Sequence, residues 1–165
     1  MTVRPILRWP HKRLRTPADP VAEITDEIRT IWDDMIDTME AMPGWGLAAP
    51  QIGVGLRLAV VDVSDERGQA IRLANPEIVD AAPETGSLTE ASPCLPGLSA
   101  KITRPATVSV AFTDAAGLRV RQDFTGNWAV SVQHQIDHLN GKMYVDRLSR
   151  TKRDMLMRKY KKAAT

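Results

Sequence analysis

Gln133-His134-Gln135-Ile136-Asp137-His138-Leu139 is the stretch whose reading decides the fold. Its two histidines are four residues apart, so on a helix both rings lie on one face, about one turn from each other. Two imidazoles held this way are half of a metal site, which needs a third ligand from elsewhere and an open position for water. A water activated in such a site also needs a carboxylate to take its proton and hand it to the leaving group. The residue after the first histidine is Gln135, whose amide orients a water or substrate by hydrogen bonds but does not ionise.

The helix that would carry these residues opens at Gly126 and ends at Asn140-Gly141, with Trp128, Val132, Gln135, Ile136 and Leu139 on its buried side. Upstream, Thr25 reads as an N-cap with Asp26 and Glu27 in the first turn, where the helix dipole favours acids. Ile28, Ile31, Trp32, Met35 and Met39 recur at helical spacing up to Met42-Pro43-Gly44. The pattern predicts strands over 57–63, 70–75 and 77–82, with Pro76 dividing the last two. A long connection is expected over 83–100, and a hairpin over 107–113 and 118–124. Residues 145–148 read as briefly extended. Residues 1–24, punctuated by Pro5, Pro10, Pro17 and Pro20, read as an arm lying on the surface, with Pro5-Ile6-Leu7 as a candidate edge strand. Ser149 caps a final basic helix over 149–162 that bears Arg150, Lys152, Arg153, Arg158, Lys159, Lys161 and Lys162.

With 165 residues, 43% hydrophobic and 25% charged, the chain suits one domain over 1–165. A net charge of +2 gives no strong field for DNA. A single cysteine, Cys94, cannot close an internal disulfide, which points to a reducing compartment. No stretch reaches the length of a membrane span and no signal peptide is legible, so a cytoplasmic location is expected.

Three stretches, in matching order and spacing, make the chain resemble bacterial peptide deformylases along nearly its whole length. Gly44-Trp45-Gly46-Leu47-Ala48-Ala49-Pro50-Gln51 looks like that family's G-x-G-L-A-A-x-Q. Gln133 to Leu139, followed by Gly141-Lys142, looks like its Q-H-E-x-D-H-L. Between them, Glu90-Ala91-Ser92-Pro93-Cys94-Leu95-Pro96-Gly97 stands where E-G-C-L-S belongs. The resemblance implies an α+β fold in which small antiparallel sheets surround a central helix carrying the two histidines, plus a C-terminal helix. It implies a metal, Fe²⁺ or a substitute such as Zn²⁺ or Ni²⁺, and hydrolysis of the N-formyl group from the initiator methionine of new polypeptides, usually by a monomer. Carried over, His134 and His138 would bind metal, and position 135 would be the general acid/base. Gln51 and the backbone N–H after the ligand cysteine would hold the oxyanion, and Asp137 would steady an imidazole or serve as helix surface. Gly46, Trp45 and Leu95 are the candidate substrate-binding residues. The C-terminal helix docks family members on the ribosome.

The chain departs from this pattern in three places. Gln135 replaces the general-base glutamate. In the second motif, matching Cys94-Leu95 to the family's C-L keeps the metal ligand but displaces Glu90 and the downstream arginine. A gap-free match, preferred because Glu90, Pro96-Gly97 and Arg104 then all agree, puts Ser92 in the ligand slot and Cys94 where the family has serine. Pro93 then also removes the oxyanion N–H. Trp45 either fills the pocket for the methionine side chain or packs under its loop. Together these departures point to a natural, divergent paralogue with deformylase chemistry lost or greatly weakened. The alternatives are a deformylase-type hydrolase with another acyl or formyl substrate, and a non-catalytic module that binds formylated N-termini or the ribosome.

Overall fold

The structure, a computed structural model, describes residues 2–164. Its first helix, α1 (Asp26–Ala41), begins where Thr25 Oγ1 accepts a hydrogen bond from the Ile28 N–H at 3.2 Å. Seven strands follow: β1 (Gly46–Ala48), β2 (Leu58–Val61), β3 (Ile71–Ala81), β4 (Thr85–Glu90), β5 (Ala100–Pro105), β6 (Thr107–Thr113) and β7 (Arg119–Thr125). The central helix is α2 (Gly126–Leu139) and the last is α3 (Arg150–Ala164). β1, β2, β3, β6 and β7 form one antiparallel sheet in that order, and β4 pairs with β5 in a second, two-stranded sheet.

The apolar run of β2 is explained by what covers it. Leu58 and Val60 face Trp32, Met35 and Met39 of α1, while Ala59 and Val61 face Val132, Ile136 and Leu139 of α2. A strand covered on both faces has no reason to alternate polar with apolar residues. The sheet is thus clasped between α1 and α2, and its edge strand β1 runs beside the helix that carries the histidines. A third cluster, with Leu95, Ile102, Met143 and Tyr144 at its centre, seats α3 through Leu156, Met157 and Tyr160.

Several expectations need correction. Pro76 does not divide two strands: β3 runs through it with a register irregularity between Ala74 and Glu77. Asn75 takes a positive φ of 49° there, and its side-chain amide bonds both the N–H and the carbonyl of Val21. Pro76 has no N–H to give the ladder, and it falls where the pairing with β6 skips. The expected connection over 83–100 contains β4, whose polar sequence Thr-Gly-Ser-Leu-Thr-Glu hides a strand with one largely solvated face. Residues 144–147 form a 3-10 turn rather than an extended segment. The arm forms no strand at Pro5-Ile6-Leu7, yet it does more than cover surface. The Leu7 N–H donates to the Gln51 carbonyl at 2.8 Å and the Trp9 N–H to the Cys94 carbonyl at 2.9 Å, so the arm staples two of the motif segments together. Among the described residues no helix is long and apolar enough to cross a membrane.

Candidate active site

A cavity of ≈ 460 Å³ lies between α2, β1 and the segment that follows β4. Each wall comes from one of the three sequence stretches: Trp45, Gly46 and Gln51 from the first, Glu90 and Ser92 from the second, His134 and Gln135 from the third. Gly46 is required where β1 meets α2. A Cβ there would lie 2.6 Å from Gln135 Nε2 and 2.7 Å from Ser131 Oγ, so only a bare backbone fits so close to the helix. Ser131 lies one turn before Gln135 and donates its hydroxyl to the Trp45 carbonyl at 2.9 Å, fastening α2 to that wall. Nothing in the motif letters marked Ser131, although its helical phase did. Gln133 faces away, donating to the carbonyls of Pro105 and Ala129 at 3.0 Å each.

Behind the histidines is a buried ionic chain. Glu90 accepts from Arg104 Nε at 2.7 Å and from Arg104 Nη2 at 2.8 Å, and it also accepts from His134 Nδ1 at 2.9 Å. Arg104 Nη1 reaches Asp137 at 3.0 Å, and Asp137 takes two further bonds from Arg147 at 2.7 and 2.9 Å. Burial alone would raise the Glu90 carboxyl, but hydrogen bonds from Arg104 and His134 outweigh it and hold the group at about 2. Asp137 therefore neither steadies an imidazole nor decorates a surface: it closes this chain, and Glu90 is what orients His134. Glu90 holds Nδ1 of His134, so Nε2 is the ring nitrogen not engaged by it.

His138 is buried, its ring centroid 5.0 Å from that of His134, and neither of its nitrogens has a hydrogen-bond partner among the described residues. Burial, then the nearby His134 and Arg104, push its pKa well down, so it is a neutral imidazole. The Tyr144 ring stacks on His134 with centroids 6.0 Å apart, a contact the sequence did not announce. Its phenol is pushed up to about 12 by burial and by the charge of Glu90.

The second motif is tightly folded on itself. The Ser92 hydroxyl lines the cavity and accepts from the Cys94 N–H at 3.3 Å. Cys94 is not among the lining residues; its thiol takes a hydrogen bond from Gln51 Nε2 at 3.4 Å, and burial pushes its pKa up. Gln51 Oε1 in turn accepts from the Ala48 N–H at 2.9 Å. Leu95 does not reach the cavity. It is wholly buried in the third cluster, with its N–H spent on the Ser92 carbonyl at 3.0 Å, because Ser92 to Leu95 closes as a turn. Trp45 is 41% exposed along the cavity wall, so it is not packed beneath its loop.

The fit to a catalytic metal can be tested on these donors. Two imidazoles, one held from behind by a carboxylate and one with unpartnered nitrogens, suit a divalent cation. The rest of the set does not. Among the described residues no three His, Cys, Asp or Glu side chains converge so as to hold a metal. The oxygen on the cavity wall next to them is a serine hydroxyl, a poor ligand beside a thiolate. The residues present therefore fit half of a metal centre and not a complete one.

The comparisons place this geometry. A family model for polypeptide deformylase matches residues 3–154. A peptide deformylase of Methylocella silvestris is 42% identical, the match covering 99% of this chain and 86% of the relative. A protein of Bradyrhizobium diazoefficiens called peptide deformylase-like is 41% identical, with 98% and 95% covered. The crystal structure of a peptide deformylase from Legionella pneumophila superposes with a TM-score of 0.91 at 40% identity, covering 99% of this chain and 96% of that one. The chain belongs to the peptide deformylase family, and its fold is the α+β peptide deformylase fold with antiparallel sheets and a C-terminal helix. Hydrolysis of formylated nascent peptides in protein biosynthesis, with a metal cofactor, is the chemistry of that family.

Proposed function

We propose that this chain is a peptide deformylase homologue in which removal of the formyl group from N-terminal formyl-Met is lost or strongly reduced. The observation that carries this is the identity of the proton acceptors on the cavity wall. Gln135 stands at the acid–base position and does not ionise. Glu90, the carboxylate that does line the cavity, is bonded twice by Arg104 and once by His134 and held at about 2. So acidic and so occupied a group is a poor base at neutral pH. Ser92 occupies the ligand slot in this reading, and Pro93 offers no N–H to an oxyanion. His134 and His138 keep an imidazole pair that binds Fe²⁺, Zn²⁺ or Ni²⁺ only weakly. After reconstitution with Ni²⁺ and dialysis against metal-free buffer, elemental analysis is expected to find well under one equivalent per chain. One equivalent surviving dialysis would overturn this account of the centre.

A second, compatible reading is ribosome contact through α3. Leu156, Met157 and Tyr160 turn inward, leaving Lys152, Arg158 and Lys159 exposed on the outer side, while the Lys161 ammonium lies over the Trp9 ring, 5.4 Å from its centroid. Arg153 belongs less to that face, lying 3.8 Å from Asp146 and 3.6 Å from Asp154. Co-sedimentation with ribosomes is expected to weaken as salt rises and to be lost in Lys152→Glu/Lys159→Glu. Unchanged co-sedimentation by that variant would refute the contact.

A further inference from the structure

The arm at the start of the chain builds a second depression beside the cavity. It holds ≈ 330 Å³ between Arg4, Ile6 and Arg8 of the arm and Thr38 of α1, and it meets the cavity along Met42 and Pro93, which line both. Two guanidinium groups line it and no carboxylate does. The two are not equivalent. Arg4 donates to Asp34 from Nε at 2.9 Å and from Nη2 at 2.7 Å, so its charge is compensated. Arg8 is exposed, and its side chain has no hydrogen bond or ion pair among the described residues. Thr38 has no donor to spare: its hydroxyl accepts from the Arg4 N–H at 2.9 Å and donates to the Asp34 carbonyl at 2.7 Å. The backbone beneath Arg8 is nonetheless fixed. The N–H groups of Leu7 and Trp9, on either side of it, donate to the carbonyls of Gln51 and Cys94, and its own carbonyl accepts from the His11 N–H at 3.0 Å. An uncompensated cation is thus held on a pinned stretch of chain, on the wall of the depression that adjoins the cavity.

A peptide whose first residue enters the cavity and whose later residues leave across Met42 and Pro93 runs into this depression. Ile6 and Met42 give it apolar contact there, and Arg8 is the group with donors left for an anion. A guanidinium presents five N–H donors and pairs with a carboxylate through two parallel hydrogen bonds. We propose that the depression is a subsite for acidic side chains further along the peptide, with Arg8 as the residue that binds them. The proposal rests on the reading that the cavity, as the site of a peptide deformylase homologue, takes in the peptide N-terminus. An exposed ion pair is weak and is screened by salt, so the preference is a few-fold and is greatest at low ionic strength.

The test is isothermal titration of the full chain with two amidated peptides, formyl-Met-Ala-Asp-Glu-Asp and formyl-Met-Ala-Asn-Gln-Asn, which match in shape and differ in charge. Amidation removes the terminal carboxylate, so any preference belongs to the side chains. At low salt the acidic peptide is expected to bind at least about threefold more tightly, and the gap is expected to close at about 0.5 M salt. Arg8→Gln is expected to bind the two alike, at the affinity that the neutral peptide has for the unaltered chain. Arg8→Lys keeps the charge and is expected to retain part of the preference. Arg121→Gln removes an exposed cation from β7 and is expected to leave the preference whole. Equal affinities in the unaltered chain, a preference that survives in Arg8→Gln, or one lost as fully in Arg121→Gln would overturn the proposal. Binding of neither peptide at millimolar concentration would overturn the reading of the cavity along with it. Mass spectrometry of the recovered peptide keeps the question of activity separate: a deformylated product contradicts the proposed loss of hydrolysis, whatever the order of affinities.

Discussion

The triple change Gln135→Glu, Ser92→Cys and Pro93→Leu is expected to raise hydrolysis of formyl-Met-Ala-Ser at least a hundredfold over the unaltered chain, with Ni²⁺ supplied. Each change returns one missing element. The carboxylate at 135 is the proton acceptor, a contribution on the order of a hundredfold to ten-thousandfold. The thiolate at 92 completes the donor set with His134 and His138. The N–H at 93 returns a hydrogen bond to the oxyanion, on the order of a hundredfold to a thousandfold. The scaffold is ready to receive them. Glutamate has nearly the shape of Gln135 and fits the same slot beside Gly46, and Glu90 already orients His134. The effects are expected to be strongly non-additive, because a base without a bound metal and a metal without a base are each of little use. Gln135→Glu alone is therefore expected to gain less than tenfold. A large gain from that single change, or none from all three, would show that the second motif does not play the part assigned to it.

Arg104→Leu is expected to destabilise the fold by about 3–5 kcal/mol, the range for removing one partner of a buried ion pair. Arg104 is almost fully buried, at 2% exposure, and links Glu90 on one side to Asp137 on the other. Without it Glu90 keeps only His134, and two carboxylates are left buried without the cation between them. The midpoint of thermal unfolding is expected to fall by about 6–20 °C for a chain of this size. Glu90→Gln/Arg104→Leu removes a charge of each sign and is expected to recover part of the loss. Equal stability of Arg104→Leu and the unaltered chain would mean that the ionic chain holds nothing together.

Much of this was legible because the physics was local. The stripe Ile28, Ile31, Trp32, Met35 and Met39 declared α1, Thr25 marked its start, and the His134/His138 spacing put both rings on one face of α2. The strand β4 was not legible, because its residues satisfy backbone pairing with β5 while burying almost no side chain except Glu90. Pro76 misled because β3 takes it in at a break in its register with β6, beside an Asn75 whose side chain is bonded to Val21, 54 residues away. At the site, the gap-free alignment pairs Glu90 with Arg104, and the contacts found between them are short and buried. Asp137, Ser131, Tyr144 and Arg147 acquire their partners only through tertiary packing, which no spacing rule encodes. Leu95 was misplaced for a related reason: whether its N–H faces a cavity or closes a turn is decided by the turn at Ser92 to Leu95 and not by its letter.

The most direct test of the central claim is turnover of formyl-Met-Ala-Ser by the unaltered chain, purified anaerobically and supplied with Fe²⁺ or Ni²⁺. It should be assayed beside the Methylocella silvestris relative under the same conditions. The account predicts a kcat/KM at least about a hundredfold below the relative's, the smallest loss expected from a missing general base. A kcat/KM within tenfold of the relative's would contradict it and would mean that Gln135 and Ser92 support deformylation as they stand.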